Sequence, residues 1–288
     1  NMQENKKQKG ALLWQAIALA VILVMIIILC VLWFAPNGTL GWLANNRNAD
    51  AGGLDISVSG GALEFGDVIK VRPVIADTEI DTIYYIFSEE ANAYCLVQAE
   101  NNEDGTLVPA GKIDGTDYYY SLGDDGKPMP INLTGLFPRE TLIITLTFRN
   151  TTSKSAGYSL SLSDFDDSDG RFTIEEGDGN TAGIYSVMGI FKVELNSITA
   201  EGGSPVYSAG EHSGKYLAEY DTAAGTSRTT GDPFNIVTGV ISPEDGEVTC
   251  TFSISVDLTQ YNALSGTVTN LLSKKALSIG ALRLSRTN

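Results

Sequence analysis

The chain is poor in the residues that carry most enzyme chemistry. One histidine and three cysteines among 288 residues leave little material for a zinc centre, a thiol redox pair or a disulfide scaffold. No Gly-x-Ser-x-Gly elbow is present to hold a nucleophilic serine, and His212 lies in the turn-like run Gly-Glu-His-Ser-Gly, which suits a solvated loop. Basic residues are scarce too: 19 Lys and Arg against 35 Asp and Glu give a net charge of −16 and a pI near 4.4. A nucleic-acid binder needs a basic face, so that class is excluded. With 43 % apolar and 19 % charged residues, the chain is not a disordered acidic tail either. A hydrolase built on two carboxylates has acidic residues to draw on, yet their spacing gives it no support. The expectation is a protein that is not an enzyme and has no organic cofactor.

Charge is also missing locally. Ala11 to Phe34 reads ALLWQAIALAVILVMIIILCVLWF, without one charged side chain. A helix of that length spans about 36 Å, enough for a hydrocarbon core of about 30 Å with some tilt. Lys6, Lys7 and Lys9 precede it, so the positive-inside rule keeps residues 1–10 in the cytoplasm as a basic tail and exports the chain beyond Phe34. Residues 11–34 are expected to be a transmembrane signal anchor, the membrane partner of the chain. The competing reading is a secretory signal cleaved near Ala49-Asp50-Ala51, whose apolar region would be unusually long. Residues 35–53 form a polar, small-residue linker. The protein is thus expected at the cell membrane with an extracellular C-terminal domain, or secreted to the cell surface if the segment is cleaved.

Beyond the linker, residues 54–288 alternate with period two. Val248, Cys250, Phe252, Ile254, Val256 and Leu258 interleave with Thr249, Thr251, Ser253, Ser255 and Asp257. Leu142 to Phe148, Tyr158 to Leu162, Phe191 to Leu195 and Ile83 to Phe87 behave alike. Such one-sided alternation belongs to antiparallel sheets with one wet face. Asp-Gly pairs at 104–105, 114–115, 125–126, 169–170, 178–179 and 245–246 supply hairpin turns. The expected fold is all-β, an antiparallel jelly-roll-like β-sandwich in one domain, with two smaller sandwiches divided near residues 164–183 as the alternative. The polar stretch from Thr199 to Pro233 reads as an excursion with a helical turn near residues 215–220, and Leu258 to Leu272 is a candidate helix.

Asp164-Phe-Asp-Asp-Ser-Asp-Gly170, followed by Glu175 and Glu176, is the most concentrated polar cluster. Calcium takes several oxygen ligands from a tight loop, which makes Asp164, Asp166, Asp167, Asp169 and Glu176 candidate metal ligands. Aligned on Gly170, an EF-hand loop would place Phe165 where its first aspartate belongs. The plainer alternative is a solvated acidic turn partly neutralised by Arg171. Cys95 and Cys250 sit in apolar strands, as buried free thiols or a disulfide. Tyr84, Tyr85, Tyr94, Tyr118, Tyr119 and Tyr120 either form an aromatic platform or pack at a sheet rim. Asn37, Asn132 and Asn150 match the N-glycosylation acceptor pattern.

Two stretches carry a family resemblance. GTLGWLANNRNADAGGLDISV (residues 38–58) and LTGLFPRETLIITLTFRNTTSKSAGYSLSLSDF (residues 133–165) resemble the signal junction and internal strand-turn-strand pattern of TasA/camelysin-type surface proteins of Gram-positive bacteria. Pro138-Arg139-Glu140 stands where that family has a Pro-Gly-Asp turn. The resemblance implies an exported jelly-roll protein of the biofilm matrix, self-associating into fibres as one subunit's N-terminal strand completes the next subunit's sheet. The expected function is accordingly a cell-surface structural protein that associates with itself or with other surface proteins. The alternative is a membrane-anchored binding module or adhesin that recognises glycan or protein through long loops, chiefly Thr199–Pro233.

Overall fold

A computed structural model describes residues 54–75, 78–101, 105–136, 140–175, 182–203, 205–265, 270–272 and 274–287. The tail, apolar segment and linker, residues 1–10, 11–34 and 35–53, lie outside the described residues. Among the described residues no helix is long and apolar enough to cross a membrane.

In chain order the strands begin with β1 (Asp55–Ser59), β2 (Leu63–Ile75), β3 (Thr78–Glu79), β4 (Ile83–Ser88), β5 (Ala93–Gln98), β6 (Pro109–Ile113) and β7 (Thr116–Tyr120). There follow β8 (Leu133–Leu136), β9 (Glu140–Asn150), β10 (Ala156–Asp166), β11 (Arg171–Ile174), β12 (Gly183–Ser186) and β13 (Phe191–Ala200). The last are β14 (Val206–Ala209), β15 (Lys215–Tyr216), β16 (Ala218–Asp221), β17 (Thr226–Thr229), β18 (Phe234–Ile241), β19 (Glu247–Val256) and β20 (Leu277–Thr287). A short helix, α1 (Thr259–Ser265), links β19 to β20.

These strands make an all-β, sandwich-like body. Sheet I has six strands in the order β1-β20-β10-β18-β14, with β8 also on β20. Sheet II has ten, β15-β13-β19-β9-β2-β4-β5-β7-β6, with β3 on β2. Sheet III is the four-stranded β11-β12-β17-β16. Pairing is mostly antiparallel, as expected, but β1 runs parallel to β20 and β12 parallel to β17. Four short strands, β14 to β17, interrupt the excursion expected over Thr199–Pro233, and β15 and β16 replace the helical turn foreseen near residues 215–220. The helix foreseen in 258–272 is present as the shorter α1.

The alternating residues do face a common interior. Val248, Cys250, Phe252 and Ile254 of β19 lie in register with Phe148, Leu146, Ile144 and Leu142 of β9, and all eight are buried. From sheet I, Tyr158, Leu160 and Leu162 of β10, Phe234 and Ile236 of β18, and Leu282 and Leu284 of β20 join the same core. The two sheets meet where Phe148 packs on Tyr158, ring centroids 5.0 Å apart and tilted by 59°.

A second, smaller core lies on the outer side of sheet II. Ile86, Cys95, Val97, Ile113 and Tyr120 cluster there, while Tyr85 and Tyr94, their neighbours along β4 and β5, point into the main core. These strands therefore bury both faces. The β6–β7 hairpin that covers this patch turns at Asp114-Gly115, with φ of 50° and 84°, the two positive angles of a type I′ turn. By contrast Asp245-Gly246, a hairpin signal in the sequence, sits in the crossing from β18 to β19 between two sheets.

Two such crossings stand side by side. The chain passes from sheet II to sheet I between β9 and β10, and back between β18 and β19. Asn150 ties them: its Nδ2 donates to Lys154 O at 2.7 Å and Ile241 O at 3.1 Å. Its Oδ1 accepts from the Thr152 amide and hydroxyl at 3.0 and 2.8 Å. Beside it the Ser155 and Ser242 hydroxyls bond at 3.3 Å, and buried Asp245 accepts from the Ser242 amide. Replacing Asn150 by Ala strips several bonds from one turn and should cost about 1–3 kcal/mol, a fall of roughly 3–8 °C in melting temperature. Thermal unfolding followed by circular dichroism checks this; an unchanged midpoint would deny the side chain its role.

Candidate functional site

The acidic turn lies where sheet I hands the chain to sheet III. β10 ends in Asp164, Phe165 and Asp166, and one 3-10 turn over Ser168–Gly170 leads into β11. Asp164 accepts from Arg283 Nη2 at 2.8 Å, and Asp167 from Arg171 Nε and Nη2, both at 3.3 Å. Asp166 accepts from the Ser168 amide at 2.8 Å. That amide, then the Ser168 hydroxyl and Arg171, holds the Asp166 carboxyl below the usual carboxylate range. Asp169 is exposed. Glu176 lies outside the described residues. Among the described residues no three acidic, His or Cys side chains converge to hold a metal. Three of the four described aspartates thus satisfy themselves on arginines and a backbone amide rather than pointing at one centre.

Asp257 is the second carboxyl set low. It accepts from the Thr259 amide at 2.9 Å and hydroxyl at 2.6 Å, which begins α1, and those bonds, with Tyr216 and Lys192 nearby, favour its ionised form. A carboxyl lowered in the folded state contributes stability at pH values above its unfolded pKa and loses it as pH falls through the folded one. The melting temperature should therefore hold steady down to about pH 4 and fall below it. In an Asp166→Asn, Asp257→Asn double variant the acid slope should be shallower. A titration of melting temperature with equal slopes in the two proteins would contradict this.

Cys95 and Cys250 are free and buried. Cys95 belongs to the outer core and Cys250 to the main one, and β5 and β19 are separated by β9, β2 and β4, so no disulfide joins them. Burial pushes the Cys95 thiol up to about 11 and the Cys250 thiol up to about 12, which removes the thiolate needed for nucleophilic work. Iodoacetamide should leave both unlabelled in the folded chain and label both in denaturant, as read by peptide mass mapping. Rapid labelling of either when folded would overturn the assignment.

His212 is not the solvated loop residue expected. Its Nδ1 accepts from the Asn235 amide at 3.0 Å, its ring lies 5.1 Å from Phe234, and it is half-buried. It fastens the turn between β14 of sheet I and β15 of sheet II. The tyrosines divide likewise: Tyr85 and Tyr94 are in the main core and Tyr120 in the outer one. The Tyr94 hydroxyl donates to Gly66 O at 2.7 Å and that of Tyr120 to Phe87 O at 2.8 Å. Tyr84 and Tyr118, 5.4 Å apart, pack on each other at the outer core's margin, which is rim packing rather than a flat platform. Of the glycosylation sequons, Asn132 is 6 % exposed and Asn150 spends its amide inside the fold, while Asn37 lies outside the described residues.

β1 and β8 share one edge of β20: β8 lies along Leu277 and Ile279, and β1 along Ala281 to Ser285. Ile56 and Val58 of β1 are half-buried against the main core, and the Leu54 amide donates to Ile131 O at 2.8 Å. No protein family, curated protein or solved structure matches the chain.

Proposed function

We propose that this chain is a cell-surface structural protein, anchored or exported by residues 11–34, whose jelly-roll-like sandwich assembles by strand addition in the manner of the TasA/camelysin-type proteins it resembles. It is not an enzyme in this reading, and calcium at the acidic turn is not part of it. The observation that supports it is the placement of β1. This first described strand pairs in parallel with β20 over five residues, Asp55↔Ala281 to Ser59↔Ser285, at the edge of sheet I. A parallel pair has no tight turn joining its members, so the same strand from a neighbouring copy can make the same main-chain bonds and seat Ile56 and Val58 in the same core. The competing loop-based adhesin relies on Thr199–Pro233, a loop that the short strands β14 to β17 interrupt.

Electron microscopy of the full chain tests the proposal. Fibres are expected for the parent protein and their loss for the Ile56→Asp, Val58→Asp variant, whose charges cannot enter the core of a neighbour. Fibres that persist in that variant, or a parent chain that stays monomeric at high concentration, would refute strand donation.

A further inference from the structure

Edge strands that stay monomeric carry a charge, a proline, a bulge or very short length. Among the described residues nearly every edge of this protein does. β1 has Asp55, β11 has Arg171, and β16 has Glu219 and Asp221. β6 carries Pro109, Lys112 and a bulge between Pro109 and Gly111, while β3 and β15 are two residues long. β8 lacks a charge, but its Leu133 and Leu136 are buried. β14, four residues reading Val-Tyr-Ser-Ala behind Pro205, carries neither a charge nor a bulge and is exposed along its whole length. Val206 is 71 % exposed, Tyr207 44 % and Val240, directly opposite Val206 on β18, 43 %.

We infer that β14 is a contact between two copies of this chain, paired antiparallel to its own counterpart about a two-fold axis. The backbone alternation fixes which groups are free to pair. The Gly210 amide donates to Ile236 O at 2.7 Å. Since successive residues of a strand turn their N–H and C=O to opposite sides, Ser208 and Val206 also face β18, and the N–H and C=O of Tyr207 and Ala209 face outward. Residues directly opposite in an antiparallel pair share a face, and of the registers this allows, the one with Tyr207↔Tyr207 as its central hydrogen-bonded pair sets Val206 against Ser208 on either side. Two six-stranded sheets then become one sheet crossing both copies.

Self-complementarity argues for a second copy as the occupant, because about a two-fold axis the outward N–H and C=O groups of one β14 meet those of the other, and charge selects the place. Two molecules of net charge −16 repel wherever acidic surface meets acidic surface, so self-contact is favoured at a strip that carries no charge. Val206, Tyr207, Ser208, Ala209 and Val240 form such a strip. Screening the remaining repulsion should strengthen the contact, so the dimer fraction rises with salt. This contact goes beyond strand donation: β1 and β14 lie at opposite edges of sheet I.

A cysteine at the two-fold axis reads it directly. A hydrogen-bonded antiparallel pair sets its Cα atoms about 5.5 Å apart, within the span of a disulfide. In the full chain with Cys30→Ser, the Tyr207→Cys variant treated with copper phenanthroline should give a covalent dimer. Ala223→Cys, in the exposed turn after β16, should give little. Adding Val206→Lys to the Tyr207→Cys chain should cut the yield several-fold while far-ultraviolet circular dichroism stays unchanged. The same yield is expected with Ile56→Asp and Val58→Asp present, so failed strand donation leaves this readout intact. Equal yields at positions 207 and 223, or a yield indifferent to Val206→Lys, would overturn the β14 contact.

Discussion

The fold depends on keeping one face of β9, β13 and β19 and one face of β10, β18 and β20 out of water together. Phe148 against Tyr158 is the centre of that contact, with side chains of both sheets on every side. Each strand alone is half apolar and would not persist. The apolar area removed from water, at about 25 cal/mol per Å², is what outweighs the entropy of ordering so many strands. Among the described residues the core holds polar atoms without partners: the Tyr158 and Tyr185 hydroxyls are buried and find no hydrogen bond there, a cost offset by the volume of the rings.

The chain crosses between sheets repeatedly at one place, and this gives the sandwich a definite seam. Asn150 and the Ser242–Asp245 turn hold β9, β10, β18 and β19 in one bonded cluster. At the other margin His212 holds the turn between β14 and β15. The two sheets are thus fixed both by their shared core and by polar clasps where the strands change layer. Polar residues that look like candidate chemistry in a sequence act here as joinery.

Much of the strand content was legible in the sequence, and the reason is local. Where one face is wet and one dry, as in β9 and β19, the two-residue period is visible without knowing the partner. The partition between sheets was not, since alternation says that a face is buried but not against what. Tyr158 to Leu162 and Leu142 to Phe148 read alike although they lie in different layers. The outer core has a signal of its own: Tyr84-Tyr85-Ile86-Phe87 and Tyr94-Cys95-Leu96-Val97 are unbroken apolar runs, the mark of strands buried on both faces. At the acidic turn, Arg171 was visible as a neighbour of Asp167, but Arg283, 119 residues from Asp164, comes within reach only through the β10–β20 pairing.

The parallel pairing of β1 with β20 has a mechanical consequence. A strand held by a neighbour running the same way, and pulled from its own first residue, is loaded along its axis. Its hydrogen bonds then resist as a group, in shear, instead of peeling open singly like a zipper. A pull on Leu54 along the strand axis is met by the whole length of β1 at once.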